Sequence, residues 1–140
     1  DKYRAKEIQY ICENTIGKVS EAENQLWMMM GDFNSRSRVD NDVYGYADND
    51  PKLLVHDYIK ANTPYIDVIK EKYPNEFKPT TGSKKARIDY VYCTQPLYDR
   101  IVFADVIWDD YTTPVRDPQN LSNFWRPSDH MPILIDFNLK

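Results

Sequence analysis

Leu26-Trp27-Met28-Met29-Met30-Gly31-Asp32-Phe33-Asn34 is the stretch from which the rest of the chain can be placed. Its unbroken apolar run, stopped by a glycine, reads as a short strand buried on both faces, because a strand with one wet face would alternate with polar residues. Gly31 lets the backbone turn sharply where that run ends, so a carboxylate and a carboxamide can point into one space. Asp32 can then orient or deprotonate a water, and the Asn34 amide can donate to a phosphate oxygen without adding charge. An ordinary Asx turn after a strand accounts for the same four residues and, taken alone, is the commoner outcome.

Upstream, Ile8, Ile11, Cys12 and Ile16 recur at helical spacing over Tyr3 to Ile16, with Gly17 placed to cap the end. Downstream, Asp32 to Asp50 is dominated by Asp, Asn, Ser and Gly and reads as a long surface loop. Asp50-Pro51 reads as a helix start, with proline in the first turn, of a helix through Leu54, Tyr58 and Ile59 that ends at Thr63-Pro64. Tyr65 to Tyr73 reads as a second short helix. Phe77 to Thr80, Arg87 to Thr94, Ile101 to Trp108 and Met131 to Phe137 are rich in β-branched and aromatic residues and read as strands. The expected fold class is α+β, of the α/β-sandwich type, with one mainly antiparallel sheet of about five strands flanked by helices.

Two further stretches carry chemistry. Ser128-Asp129-His130 precedes the apolar strand Ile133-Leu134-Ile135 and sets an acid beside an imidazole. Adjacent strand residues point to opposite faces, so both can serve one site only at an irregular edge. Asp129 is a hard oxygen ligand suited to Mg²⁺ or Mn²⁺, and His130 can donate to a phosphate. In Arg87-Ile88-Asp89-Tyr90-Val91-Tyr92, Asp89 interrupts an apolar alternation, which is costly unless the carboxylate is paired. Its partner is either His130, whose tautomer and charge it would then fix, or one of Arg87, Lys84 and Lys85.

Composition narrows the partners. The chain has 140 residues, 41% of them apolar and 14% aromatic, which is the composition of one globular domain. With 18 Lys+Arg against 22 Asp+Glu, a net charge of −4 argues against holding nucleic acid by a broad basic face. A bound phosphate therefore needs positive charge from elsewhere. Two cysteines, Cys12 and Cys93, cannot make a disulfide scaffold, and two histidines, His56 and His130, cannot make a three-histidine zinc site. Asp40-Asn41-Asp42-Val43-Tyr44-Gly45 imitates half a calcium loop but fails at Tyr44 and Pro51, so an EF-hand is rejected. Arg36 and Arg38 stand close enough in sequence to Asp32 to receive an anion.

Taken together, Gly31-Asp32-Phe33-Asn34, Arg87-Ile88-Asp89-Tyr90-Val91 and Ser128-Asp129-His130-Met131-Pro132 occur in the order and rough spacing of a known superfamily. The chain resembles the endonuclease/exonuclease/phosphatase superfamily, the deoxyribonuclease I-like fold. The resemblance implies a divalent-metal-dependent phosphoesterase with Mg²⁺ or Mn²⁺ as cofactor. It implies that Asp32 orients or activates the attacking water, that Asn34 contacts the phosphate, that Asp129 helps bind the metal, and that Asp89 supports His130; Asp32 is a further candidate for the metal and Arg36 for the phosphate. A metal cation would offset the phosphate charge that the acidic chain cannot. Nucleic acid, a phospholipid headgroup and a small phosphoester remain the substrate classes, and a non-catalytic binding or scaffold module is the alternative.

Chains of this family look about twice as long. Their first half supplies an early Asn, a metal-binding Glu and a further His or Tyr, and no segment before Asp32 matches these. The expectation is that residues 1–140 form a single C-terminal half of a four-layer domain whose N-terminal half is absent. A lone half exposes the inner apolar face of its sheet, so either the missing half or a second copy, as a homodimer, is expected to cover it. Little activity is expected of such a half alone.

Overall fold

The computed structural model of the chain describes residues 1–15, 21–83, 85–108 and 128–140. In chain order the elements are α1 (Lys2–Asn14), β1 (Met28–Asp32), α2 (Asn41–Tyr44), α3 (Leu54–Asn62), β2 (Ile66–Asp67), α4 (Val68–Lys72), β3 (Asp89–Cys93), α5 (Gln95–Tyr98), β4 (Ile101–Val106) and β5 (Ile133–Phe137). Among the described residues no helix is long and apolar enough to cross a membrane. Ile16 and Gly17, expected at the end of the first helix, and Lys84 lie outside the described residues.

β3 lies between β1 and β2 in a three-stranded antiparallel sheet, while β4 and β5 pair antiparallel by themselves. The strands therefore form two sheets instead of the one expected. β1 runs along one edge of β3 and β2 takes the other at Tyr92 and Cys93, while Ala104 and Val106 of β4 and Ile133 and Ile135 of β5 share a cluster with Val91 and Cys93. Phe77 to Thr80, expected as a strand, joins neither ladder. Tyr65 to Tyr73, expected as a helix throughout, divides into β2 and α4, with the Asp67 carboxylate accepting from the Lys70 N–H at 3.3 Å at the junction.

Buried on both faces is β3, not β1. Tyr90 and Tyr92 point into a cluster with Ile8 and Cys12 of α1 and Val55 and Ile59 of α3. Val91 and Cys93 point the other way, into Val68, Ile69, Leu97, Ala104, Val106 and Met131. The period of two along a strand makes this division, and each fully buried side chain of this size contributes about 1.5–3 kcal/mol. β1 is the edge strand. Its Met29 faces the first cluster, but Met28 and Met30, paired in register with Cys93 and Val91, are 41% and 67% exposed. An unbroken apolar run thus marks an uncovered sheet face here.

The segment after β1, expected as a solvated loop, is an ordered strap. A 3-10 turn (Arg38–Asp40) leads into α2, and Ser35, Ser37 and Asp40 are buried. Its anchor is Arg87, 1% exposed, whose Nε and Nη2 reach Asp40 Oδ2 at 2.8 and 2.7 Å while Nη1 reaches Asp67 at 2.8 Å. The guanidinium also lies 4.3 Å from the Tyr90 ring centre. Lys70 adds a further ion pair to Asp40 at 3.2 Å. A buried guanidinium is tolerable only with such pairing. Asp50 accepts from the Lys52 N–H at 2.9 Å with Pro51 in the first turn, as the sequence suggests.

Candidate active site

Antiparallel pairing ends with Asp32 directly opposite Asp89, where β1 leaves the sheet and β3 enters it. Side chains of opposed residues share a face and stand roughly 5 Å apart at Cβ, and like charges so placed repel. A third group offsets the repulsion. His130 Nδ1 lies 2.9 and 3.0 Å from the two Asp89 oxygens. Ligand atoms of Asp32, Asp89 and His130 all lie within 4.8 Å of one another. Of the partners weighed for Asp89, the structure thus places His130 against it, while Arg87 is taken by Asp40 and Asp67.

The local backbone explains how each group arrives. Gly31 has φ +153°, which side-chain-bearing residues rarely adopt, although a Cβ there would meet nothing within 4 Å. Asn34 sits at φ +47°, in the left-handed region that asparagine tolerates better than most residues. That turn closes on Asp32, which accepts from the Asn34 backbone N–H at 2.8 Å and from its Nδ2 at 2.9 Å. Phe33 donates its N–H to the Ile88 carbonyl at 2.8 Å, so the turn stays fastened to the strand beside it.

His130 is carried by a different scaffold. Thr80, fully buried, accepts at its hydroxyl from the Ile88 and Asp89 N–H groups at 3.0 and 3.1 Å. Its carbonyl accepts from the Met131 N–H at 2.7 Å, and Thr81 bridges to His130. Thr80 therefore holds both members of the Asp89–His130 pair in one frame. Sequence reasoning missed it, since a threonine inside a β-branched run reads as one more strand residue. The spacing to Asp89 carries no local signal.

The remaining candidates lie around this cluster. Asp129 is exposed, with its carbonyl accepting from the Gly82 N–H at 2.6 Å, and its carboxylate stands outside the group of three. Arg36 is turned toward Tyr44, its guanidinium 5.9 Å from the ring centre. Arg38 pairs with Asp48 and Asp57 and is not free for an anion. The His130 pKa is raised, first by its hydrogen bond to Asp89, against partial desolvation, and then by the charges of Asp89, Asp32 and Asp129. The imidazole is thereby biased toward its cationic form.

A metal ion is testable against this donor set. Asp89 is engaged with His130, whereas Asp32 meets only the uncharged N–H groups of Asn34 and keeps lone pairs for a cation. The grouped donors are two hard carboxylates, Asp32 and Asp89, beside one imidazole, with Asp129 outside the group, a set suited to Mg²⁺ or Mn²⁺ and unlike a thiolate or three-histidine site.

No protein-family model matches the chain, and no curated protein matches it in sequence. Among solved structures, an AP endonuclease from Archaeoglobus fulgidus matches 99% of this chain with a TM-score of 0.71 and 17% sequence identity. The two share a fold. The match takes in 55% of the endonuclease, so this chain spans about half its length.

Proposed function

We propose that this chain carries part of the active site of a divalent-metal-dependent phosphoesterase that cleaves nucleic-acid phosphodiesters. The observation that carries the reading is the Asp32–Asp89 opposition closed by His130. Opposed carboxylates at a strand end are a poor arrangement for stability and a good one for gathering positive charge next to an anionic ester. The name of the structural neighbour puts nucleic acid ahead of a phospholipid headgroup or a small phosphoester.

In this reading Asp32 orients the attacking water and, with Asp129, holds Mg²⁺ or Mn²⁺. The bound ion would neutralise phosphate charge and stabilise the charge developing on its oxygens. His130, kept cationic and fixed by Asp89, donates to a phosphate oxygen. The Asn34 carboxamide, which donates to Asp32 in the free chain, donates to a second phosphate oxygen, and Arg36 follows it as a cation. Residues 1–140 act as the C-terminal half of a longer domain. The exposed Met28–Met30 face of β1 is covered by the remainder of that domain or, in isolation, by a second copy.

Calorimetric titration with Mn²⁺ and cleavage of a labelled DNA duplex test this together, on the chain as given and on the chain extended upstream in its reading frame. Expected are Mn²⁺ binding that Asp32→Asn and Asp129→Asn each weaken, weak cleavage by the chain alone, and stronger cleavage by the extended protein that His130→Gln abolishes. Mn²⁺ binding by neither form would overturn the proposal. A form that binds Mn²⁺ and DNA without cleaving would assign the chain to the scaffold alternative.

A further inference from the structure

We propose that Arg36, Tyr44, Tyr46 and Lys52 form a ridge that binds the polynucleotide strand next to the phosphate held at the Asp32–Asp89–His130 cluster. This rests on the nucleic-acid reading above and extends it to groups outside the cluster. Tyr44 and Tyr46 stack with ring centres 5.5 Å apart and planes inclined by 22°. Arg36 lies over Tyr44 at 5.9 Å, and the Lys52 ammonium lies over Tyr46 at 4.5 Å. The order is cation, ring, ring, cation.

Two features separate this group from an ordinary solvated surface. First, its cations are unspent. Arg36 and Lys52 form no ion pair with any described residue, as is also true of Lys60, but each of the two is held over a tyrosine ring. Of the acids on the same strap, Asp48 is bound to Arg38, while Asp50 accepts from the uncharged Lys52 backbone N–H and forms no ion pair with the Lys52 ammonium. Second, the ridge is built. The Lys52 carbonyl accepts from the Arg36 N–H at 3.0 Å and from the Ser35 hydroxyl at 2.6 Å, which fastens the two cation-bearing segments together. The Tyr44 hydroxyl accepts from the Arg87 N–H at 3.0 Å, and Phe77 packs edge-on against the Tyr44 ring at 5.7 Å.

Position and shape select the partner. Arg36 follows Asn34 by two residues, so the ridge begins within about 7 Å of the phosphate-facing turn at the backbone. A nucleic-acid strand carries one phosphate per ~3.4 Å of helix axis, so a strand held at the cluster and running toward Arg36 presents further phosphates to the ridge. The rings hold the Arg36 and Lys52 cations in place, so the ridge meets the strand's phosphates with its two cations and not its bases with the rings. An acidic chain can touch a narrow polyanion along a line, whereas a membrane surface would meet its net charge of −4 broadly.

Fluorescence anisotropy with a labelled DNA oligonucleotide in EDTA tests the ridge without turnover. Arg36→Gln/Lys52→Gln is expected to weaken binding about tenfold or more at ~50 mM salt and to lower the slope of log K against log salt by about two. Tyr46→Leu, which removes the ring under the Lys52 ammonium, should weaken binding about 2- to 5-fold, while Tyr46→Phe, which keeps that ring, binds as the wild type does. Lys60→Gln, an exposed cation outside the ridge, should also bind as wild type, and near-ultraviolet circular dichroism checks that each variant is folded. Wild-type affinity in the double variant, or no DNA binding by the wild type, would overturn the proposal. So would binding of phosphatidylserine vesicles in preference to DNA if the same double substitution removes it. Because metal is chelated throughout, a chain that fails to bind Mn²⁺ yet binds DNA through these residues would sink the phosphoesterase reading and leave the ridge standing.

Discussion

Replacing Arg87 by methionine should cost this protein about 3–5 kcal/mol of stability, the range for breaking a buried ion pair by removing one partner. The structure says where that loss arises. Asp40, with its side chain 1% exposed, loses both short contacts to the guanidinium and keeps only Lys70 at 3.2 Å. Asp67 keeps only the Lys70 N–H, and Tyr90 loses the cation over its ring. Methionine preserves the apolar stem, so lost packing is a minor part. For a chain of this length the expected drop in melting temperature is about 9–15 °C, at roughly 3 °C per kcal/mol. The deficit should also depend on pH. Burial raises the Asp67 pKa in the folded state, and the Arg87 charge and hydrogen bond oppose that rise. Without Arg87 the Asp67 pKa rises further, so the folded variant binds more protons than the unfolded chain and gains stability as pH falls through that value. Urea denaturation near pH 7.5 and near pH 5 measures both effects. A deficit below about 1 kcal/mol, or one identical at the two pH values, would refute the view that Arg87 compensates buried charge.

Further predictions rest on separate features. Burial, followed by the charges of Arg87 and Arg36, drives the His56 pKa down to about 3; its Nδ1 sits 2.7 Å from the Tyr92 hydroxyl and its ring lies among Phe33, Tyr90 and Tyr92. Because the unfolded imidazole titrates near 6.5, stability is full above that pH and falls as pH drops, by about 2 kcal/mol at pH 5. His56→Leu should remove that slope, and urea midpoints falling in parallel for both proteins would contradict it. Gly31→Ala should cost about 1–3 kcal/mol through backbone strain alone, since its new methyl meets no atom; an unchanged urea midpoint would show that the turn relaxes freely. Sedimentation equilibrium of the isolated chain should reveal self-association that Met30→Lys abolishes, and a wild type that is monomeric at micromolar concentration would rule out the second-copy cover.

What the sequence made legible was local. The α1 periodicity and the Asp50-Pro51 start follow from contacts within a few residues, and so do the strand character of Asp89–Cys93 and the oddness of a carboxylate at its head. What it hid depended on partners far along the chain. Asp40 reads as a loop aspartate because its burial is set by Arg87, 47 residues away. Met28 and Met30 read as core because hydrophobicity reports what a strand would bury, not whether anything lies over it. Phe77 to Thr80 has strand composition, yet Thr80 spends its hydroxyl and carbonyl on fastening Ile88, Asp89 and Met131. The three motifs could be read together, but no spacing rule states that His130 comes to Asp89 across a support made by residues near position 80.

The alternation of β3 links stability to chemistry. Tyr90 and Tyr92 commit one face to α1 and α3, and Val91 and Cys93 commit the other to the cluster that includes β4. Asp89, two residues before Val91, shares that second face. A one-residue slip of β3 would move both tyrosines out of their cluster and at the same time turn Asp89 away from Asp32 and His130. Core burial therefore fixes the register, and the register fixes which carboxylates oppose each other at the end of the ladder. Side chains remote from the site thus hold the two carboxylates opposite each other, and His130 offsets their repulsion. The same dependence explains why Arg87, pointing to the opposite side of the strand entrance from Asp89, can govern the ordering of the strap that carries Arg36 while making no contact with the cluster.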